Sequence, residues 1–410
     1  MTTNSQVQPT SCNGVLHVAF ELSAKSWKLG FADRLGRRAR VRTVRPGDLP
    51  ELRVEIAKAK RAFGLQLNAK VISAYEAGRD GFWLHRCLVA MGIENYIVEP
   101  ASIQVTRKAR RAKTDRIDAE KIVSALMRFL AGDQFACNMV RVPDEESEDV
   151  RNLNREMATI KKEKTALSNR IRSLLVTQGI PLGMVDRNFP KKLEEMRTPE
   201  GKPLGQHLHA RLLREFERLV LAVEQIRVLE MVQAKMLRAA AKEATKCDAE
   251  AKSPKAVIIA EHFMNLVGIG PVTAWTLSTE IFAWRDIANR RQLAALAGLT
   301  PTPHDSGDKE KEQGISKSGR GQLRALLIEI AWGWLIHQPN SDLSKWYVER
   351  FNDGTKRNRK IGIVALARKL LVALGKYIRG GEIPLGAKIK EQRKFVYTPS
   401  LKPRPATATA

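Results

Sequence analysis

Within the first 132 residues, three short apolar runs come before any helical period, and only then do helical and extended patterns alternate. That order restricts the fold more than any single residue does. Val15–Phe20, Trp27–Phe31 and Ala39–Val44 read as strands separated by turn-like stretches. Leu49–Phe63 has helical spacing. Lys70–Tyr75 reads as a fourth strand, Phe82–Met91 as a second helix, Tyr96–Glu99 as a fifth strand and Thr114–Phe129 as a third helix. The first three strands can form a meander.

This is the order of an α/β RNase H-like domain, predicted over 13–132. There the first strand is central and the fourth pairs beside it, so the ends of the two strands become neighbours. Both ends carry a carboxylate, Glu21 after Val15–Phe20 and Glu76 after Val71–Tyr75. Two more, Asp115 and Asp118, lie in Lys113-Thr-Asp-Arg-Ile-Asp-Ala-Glu120. A spacing of three puts them on one face of a helix. Strand-end acids facing a helical pair form an oxygen-rich pocket suited to Mg²⁺ or Mn²⁺. The basic run Arg107, Lys108, Arg110, Arg111 and Lys113 directly precedes the helical pair and suits phosphates held beside the metals. A solvated charged loop is the plainer reading of that run.

Charge selects the partner class. The 410 residues carry 70 Lys and Arg against 44 Asp and Glu, a formal net charge of +26. A polyanion is the expected partner, and nucleic acid is favoured over a membrane surface. No run of about 18 apolar residues marks a membrane span, and Met1–Cys12 is too polar for a signal peptide. Cys12, Cys87, Cys137 and Cys247 are scattered, without the spacing of a zinc site or a disulfide framework. A cytoplasmic, nucleoid-associated protein is expected.

From 144 to 250 the pattern becomes helical. Val150, Leu153, Met157, Ile160, Leu167, Ile171 and Leu174 recur at alternating steps of three and four, with Lys164 at the one polar seam position. After a Pro- and Gly-bearing segment (179–203), Leu212, Phe216, Leu219, Val223 and Ile226 repeat the period. The two helices suggest an antiparallel hairpin or a dimerising coiled coil. The narrow stripe favours a second copy as the partner, hence a homo-oligomer. The region 255–380 reads as mostly α. Its Gly268-Ile-Gly270 turn looks like a helix-hairpin-helix element, whose glycines let backbone N–H groups approach phosphate. Lys317 and Arg320, in the loop Gly314–Gly321, are candidate phosphate clamps, while Trp332 and Trp334 read as core. Ser306 sits in a polar loop after Pro301, and by itself means little, because an activated serine needs a base or a strong local field. Residues 381–410 form a basic tail, expected to be disordered unless bound.

Taken together, the chain over about 14–378 resembles the DEDD transposases of the insertion-sequence 110/1111 family. The landmarks are Glu21, Tyr75-Glu-Ala-Gly78, Lys113–Ala119, Gly268–Pro271, Leu293–Pro301, Ser306-Gly307 and Gly314–Lys317, in that order. The resemblance implies a RuvC-like N-terminal domain, a coiled coil and a C-terminal transposase domain. It implies metal binding by Glu21, Glu76, Asp115 and Asp118, with Glu21 where the family usually has Asp. It also implies a nucleophilic role for Ser306, through a phosphoserine link to DNA, in a site composed from different protomers. Donor and target DNA are the implied substrates, and a structured guide RNA is an implied partner. The rival readings are a metal-only junction nuclease, a site-specific invertase on the same scaffold and an inactive nucleic-acid-binding protein.

Overall fold

The computed structural model describes residues 14–103, 115–133, 135–181, 183–244, 253–285, 287, 289–306, 309–352 and 354–390. It divides into two compact units, Met1–Val142 and Pro143–Ala410.

The first unit is a five-stranded mixed sheet with helices on both faces. In chain order it comprises β1 (Leu16–Leu22), β2 (Trp27–Ala32), β3 (Arg40–Val44), α1 (Leu49–Ala62), β4 (Val71–Glu76), α2 (Trp83–Ala90), β5 (Glu94–Val98) and α3 (Asp115–Leu130). The spatial order is β3-β2-β1-β4-β5. The first three strands form the expected antiparallel meander, and β4 and β5 add in parallel beside β1. The strand and helix spans match expectation closely. The largest offsets are two residues: β1 runs on to Leu22, and β5 begins early at Glu94, where Lys70 Nζ lies 2.6 Å from the carboxylate.

Strand alternation assigns the two faces. Val18 and Phe20 of β1, Leu29 and Phe31 of β2 and Tyr75 of β4 pack with Leu52 and Ile56 of α1 and Leu84 and Leu88 of α2. Ala19, Ile72 and Ala74 point the other way, against Ile122, Val123 and Leu126 of α3. The small residues on that side let α3 approach closely. At Gly30 an added Cβ would lie 3.1 Å from the Ala119 carbonyl oxygen. Asp48 caps α1 by accepting from the Glu51 amide at 2.8 Å.

The second unit begins with α4 (Glu145–Val176), α5 (Phe189–Glu195) and α6 (Gln206–Ala244). Met157, Ile160, Leu167 and Ile171 of α4 pack against Leu212, Leu219, Ile226 and Leu229 of α6. The predicted seam therefore closes within one chain, as the hairpin alternative expected and not as the favoured pairing with a second copy. Phe189 and Leu193 of α5 cap the end of the pair, with the Phe189 and Phe216 rings 5.3 Å apart.

The chain continues through α7 (Lys255–Phe263), α8 (Pro271–Leu277), a π-helical turn (Ser278–Phe282), α9 (Arg290–Leu296), β6 (Pro301–Ser306), β7 (Lys309–Ile315), α10 (Gly321–His337), α11 (Asp342–Phe351) and α12 (Lys356–Gly380). The base of the helical arm enters this core. Val150 and Leu237 pack with Val257, Trp275 and Leu277, so the arm and the C-terminal region, expected as separate domains, form one compact unit. Trp334 is core as expected, its indole N–H donating to Ser341 Oγ at 2.9 Å.

Two expectations are corrected. The segment 301–315, read as a polar loop, is an antiparallel hairpin. The first part of the basic tail, 381–390, packs within the second unit: Gln338 Nε2 donates to the Lys388 carbonyl at 2.9 Å, and Ile389 bridges to Leu266, while the rest lies outside the described residues. Lys390 Nζ donates to the Met264 carbonyl at 2.9 Å. These contacts are made by backbone and polar groups and not by an apolar period, so no pattern in the sequence marks them.

Candidate active site

Glu21 and Glu76 stand where the sheet places them. The parallel register of β1 and β4 ends at Phe20 opposite Tyr75, so the two glutamates are the next facing pair. Adjacent strands are about 4.8 Å apart. By alternation both belong to the face that α3 covers. They line one open cleft of 380 Å³, with Ser23, Arg79 and Asp80. The loops around it are fixed locally. Ser23 Oγ accepts from the Ser26 amide at 3.1 Å and donates to its carbonyl at 2.6 Å, closing the turn after Glu21. Tyr75 Oη donates to the Gly81 carbonyl at 3.0 Å and anchors the loop after Glu76.

The direction of α3 follows from its contacts. Val123 and Met127 share a surface pocket with Ala32, which pairs with His17 near the start of β1. Ala119 lies on Gly30, which pairs with Ala19. The helix thus runs opposite to β1, and its first turn lies toward the Glu21 end. Four residues of helix rise about 6 Å, and two residues of strand about 7 Å. Asp115 therefore starts α3 near the level of Glu21. Asp118 is paired with Lys121, Oδ1 to Nζ 2.9 Å.

The Asp115 side chain and the basic residues Arg107, Lys108, Arg110, Arg111 and Lys113 lie outside the described residues. Among the described residues, no three His, Cys, Asp or Glu side chains gather as a metal-holding group. The structure thus brings Glu21 and Glu76 into one cleft and orients α3 toward them, without seating Asp118 in its lining. Asp80 is the cleft acid that sequence reasoning missed. It lies four residues after Glu76, in a loop with no periodicity to mark it.

In the second unit, Ser306 is the last paired residue of β6, opposite Lys309 at the hairpin tip. Beyond β7, the segment 316–320 is strapped to the end of α9. The Ser316 amide donates to the Thr300 carbonyl at 2.8 Å, Lys317 to Gly298 at 3.2 Å and Arg320 to Leu296 at 3.1 Å. Gly319 makes this strap possible, since a Cβ there would sit 2.4 Å from both the Gly298 nitrogen and the Leu296 oxygen. Lys317 has φ +55°, the one left-handed non-glycine residue among those described, and is exposed. Arg320 differs from the expected free clamp. Its guanidinium is ion-paired with Glu280, a buried carboxylate of the π-helical turn. Gly268 and Gly270 do lie between two helices. However, Gly268 (φ +90°) faces His337, with only 3.0 Å between an added Cβ and the His337 Cβ, and the Val267 carbonyl accepts from Gln338. The turn is thereby tied to α10, and the helix-hairpin-helix reading gains no support from it.

Two family models match separate stretches of the chain. Residues 37–179 match the DEDD transposase model of the IS110 family, and residues 260–345 match the transposase model of the IS116/IS110/IS902 family. A Sinorhizobium fredii protein named as a transposase, y4rJ, is 42% identical over 388 residues, covering 92% of this chain and 95% of the relative. The transposase for insertion sequence element IS1111A of Coxiella burnetii is 29% identical, over 71% of this chain and 73% of its own length. That for IS1328 of Yersinia enterocolitica is 24% identical, over 73% and 81%. With one relative this similar along nearly its full length, and with two models of this family matching separate stretches of it, the chain belongs to the IS110 family of DEDD transposases.

Proposed function

We propose that this transposase is a serine recombinase of mobile DNA, assisted by a divalent cation on an RNase H-like domain. The observation that carries the reading is the register-adjacent pair Glu21 and Glu76 at the open ends of two parallel strands, with α3 directed at them. Glu21, Glu76, Asp115 and Asp118 would hold Mg²⁺ or Mn²⁺, which suits hard oxygen donors. Bound there, the cation would supply positive charge to a phosphodiester whose charge grows in the transition state. The extra methylene of Glu21 shifts its carboxylate by about one bond length and preserves the donor type.

Ser306 would attack the scissile phosphorus through Oγ. One P–O bond to DNA breaks as the serine ester forms, and the departing deoxyribose oxygen takes up a proton. The reverse attack by a second DNA hydroxyl restores serine and rejoins DNA without ATP. Ser306 ends a paired strand, one strand before the segment strapped to α9, a backbone setting that suits a positioned nucleophile. The basic α12, with eight Lys and Arg and no Asp or Glu, is the proposed main nucleic-acid surface. A structured RNA encoded by the element is proposed as a second polyanionic partner. Assembly into a homo-oligomer is proposed through α6, where Leu221, Val228, Met231 and Val232 remain exposed after the hairpin has formed.

The test is a denaturing gel for a covalent protein–DNA adduct, using element-end DNA, Mg²⁺ and any co-purifying RNA. Wild type should give an adduct, and Ser306→Ala and Asp115→Ala should each abolish it. Cleavage that persists in Ser306→Ala without any adduct would instead support a metal-only nuclease.

A further inference from the structure

One buried carboxylate in the second unit is shared by an excess of guanidinium groups. Glu280 is ion-paired with Arg320, lies 3.4 Å from Arg151 Nε and lies 4.0 Å from Arg155 Nε. Arg285 donates through Nε to the Glu280 carbonyl at 3.1 Å. Arg151 and Arg285 also lie over the Trp284 ring, 4.5 and 4.2 Å from its centroid. Three guanidinium groups thus approach one carboxylate, and a fourth binds the backbone carbonyl of the same residue. Burial pushes the Arg151 guanidinium below its ordinary range, and the charges of Arg155 and Arg320 act in the same direction against Glu280. Such an imbalance is unfavourable in a low-dielectric environment unless an anion completes it.

The three around the carboxylate differ in access. The Arg151 side chain is 6% exposed and its Nε lacks a hydrogen-bond partner of good geometry. Arg155 and Arg320 are 52% and 40% exposed. Arg320 is also the N-cap position of α10, where no side chain caps the helix and no acid lies in the first turn. The positive end of that helix therefore adds to the same unmet demand for an anion.

We propose that Arg155 and Arg320, held from beneath by Glu280 and Arg151, form a seat for one backbone phosphodiester of nucleic acid. Because Arg320 ends the strap that leaves the Ser306 hairpin, a phosphate there would couple the base of the helical arm to that hairpin. The seat rests on the nucleic-acid reading above, and goes beyond it in assigning Arg155, Arg151 and Glu280.

The test measures salt dependence of binding by the full chain, between 50 and 200 mM salt. One arm uses a 30-base-pair duplex DNA of unrelated sequence and the other an RNA hairpin. Losing one phosphate contact should reduce the slope of log K against log salt by about one, and lower affinity about three- to four-fold more at the low-salt end than at the high-salt end. Arg155→Gln and Arg320→Gln should each show this loss, Arg155→Lys should retain the wild-type slope, and Arg218→Gln, on the exposed arm, should be unaffected. Arg155 is half exposed, so Arg155→Gln keeps the test valid even if Arg320→Gln fails to fold. A loss confined to the DNA or the RNA arm would identify which polymer occupies the seat. Unchanged slopes in Arg155→Gln, with wild type still binding, would overturn the seat alone. Wild type that binds neither polymer would overturn both the seat and the nucleic-acid reading.

Discussion

Single residues decide how closely the elements of each site approach. Gly30 is the clearest case, because α3 rests on it. Gly30→Val should destabilise the protein by about 1–3 kcal/mol through overpacking. It should also reduce adduct formation by more than the stability loss explains, since it moves the helix that carries Asp115. Thermal unfolding and the adduct gel, run on the same preparation, check both effects. A second prediction concerns pH. Burial pushes the imidazoles of His17 and His85 below their ordinary value. Between that lowered value and about 6.5 the unfolded chain binds more protons than the folded one, so stability falls as pH drops through this window. The melting temperature should decline from pH 7.5 to 5.5, and His17→Gln with His85→Gln should flatten the decline; an equal decline in the double variant would refute the assignment. Residues also differ in how far the sequence reveals them. Glu21 and Glu76 are legible because they end short, nearly continuous apolar runs, and a strand end is where a sheet opens to solvent. Glu280 is not legible. It lies in Ser278–Phe282 among apolar neighbours, and nothing local shows that arginines more than a hundred positions earlier and forty positions later converge on it.

At the scale of elements, periodicity was informative wherever one face is apolar. The arm seam is readable over about seven turns, and its shift near the end has a physical cause. A straight helix drifts about 20° per heptad against a strict seven-residue repeat. The fully buried position therefore passes from Leu174 to Leu175 at the end of α4, and Lys164 stays exposed. Ile171 is fully buried in this seam, so Ile171→Ala should lower stability by about 2–5 kcal/mol, whereas Lys164→Ala should change it by no more than about 0.5 kcal/mol. Chemical denaturation of the two variants checks the contrast. The β6–β7 hairpin escaped the same reading because Lys309–Gln313 has no apolar face, so its pairing is visible only in the backbone. What sequence could not decide was the partner of the seam, since one stripe serves a neighbour in the same chain as well as a second copy. With the seam closed internally, any assembly through the arm must use a face outside the seam, and α6 carries most of the exposed apolar residues there. Leu221→Glu with Val228→Glu should leave the melting temperature within a few degrees and shift the protein to a smaller species by light scattering. An unchanged mass would remove α6 from the interface.

Across the whole molecule, a net charge of +26 is a standing repulsion that a polyanion would relieve. The repulsion is uneven. The α12 helix begins Lys356, Arg357, with Thr355 as its cap and no acid in the first turn. Cations at a helix N-terminus oppose the macrodipole, each by roughly 0.3–1 kcal/mol when exposed. A sequence selected for stability alone would place acids there, so this helix start has the form expected of a surface whose counter-charge comes from outside. Binding and stability should therefore respond in opposite directions to the same change. Lys356→Gln with Arg357→Gln should raise the melting temperature of the free protein slightly, by removing two charges from the wrong end of the dipole. The same variant should weaken duplex DNA binding and lower the slope of log K against log salt by up to about two, one for each lost phosphate contact. Added salt should also reduce the stability difference between variant and wild type, because screening weakens the dipole penalty. A variant less stable than wild type at low salt, or one that binds DNA with an unchanged slope, would show that the two cations serve the fold and not a nucleic-acid partner.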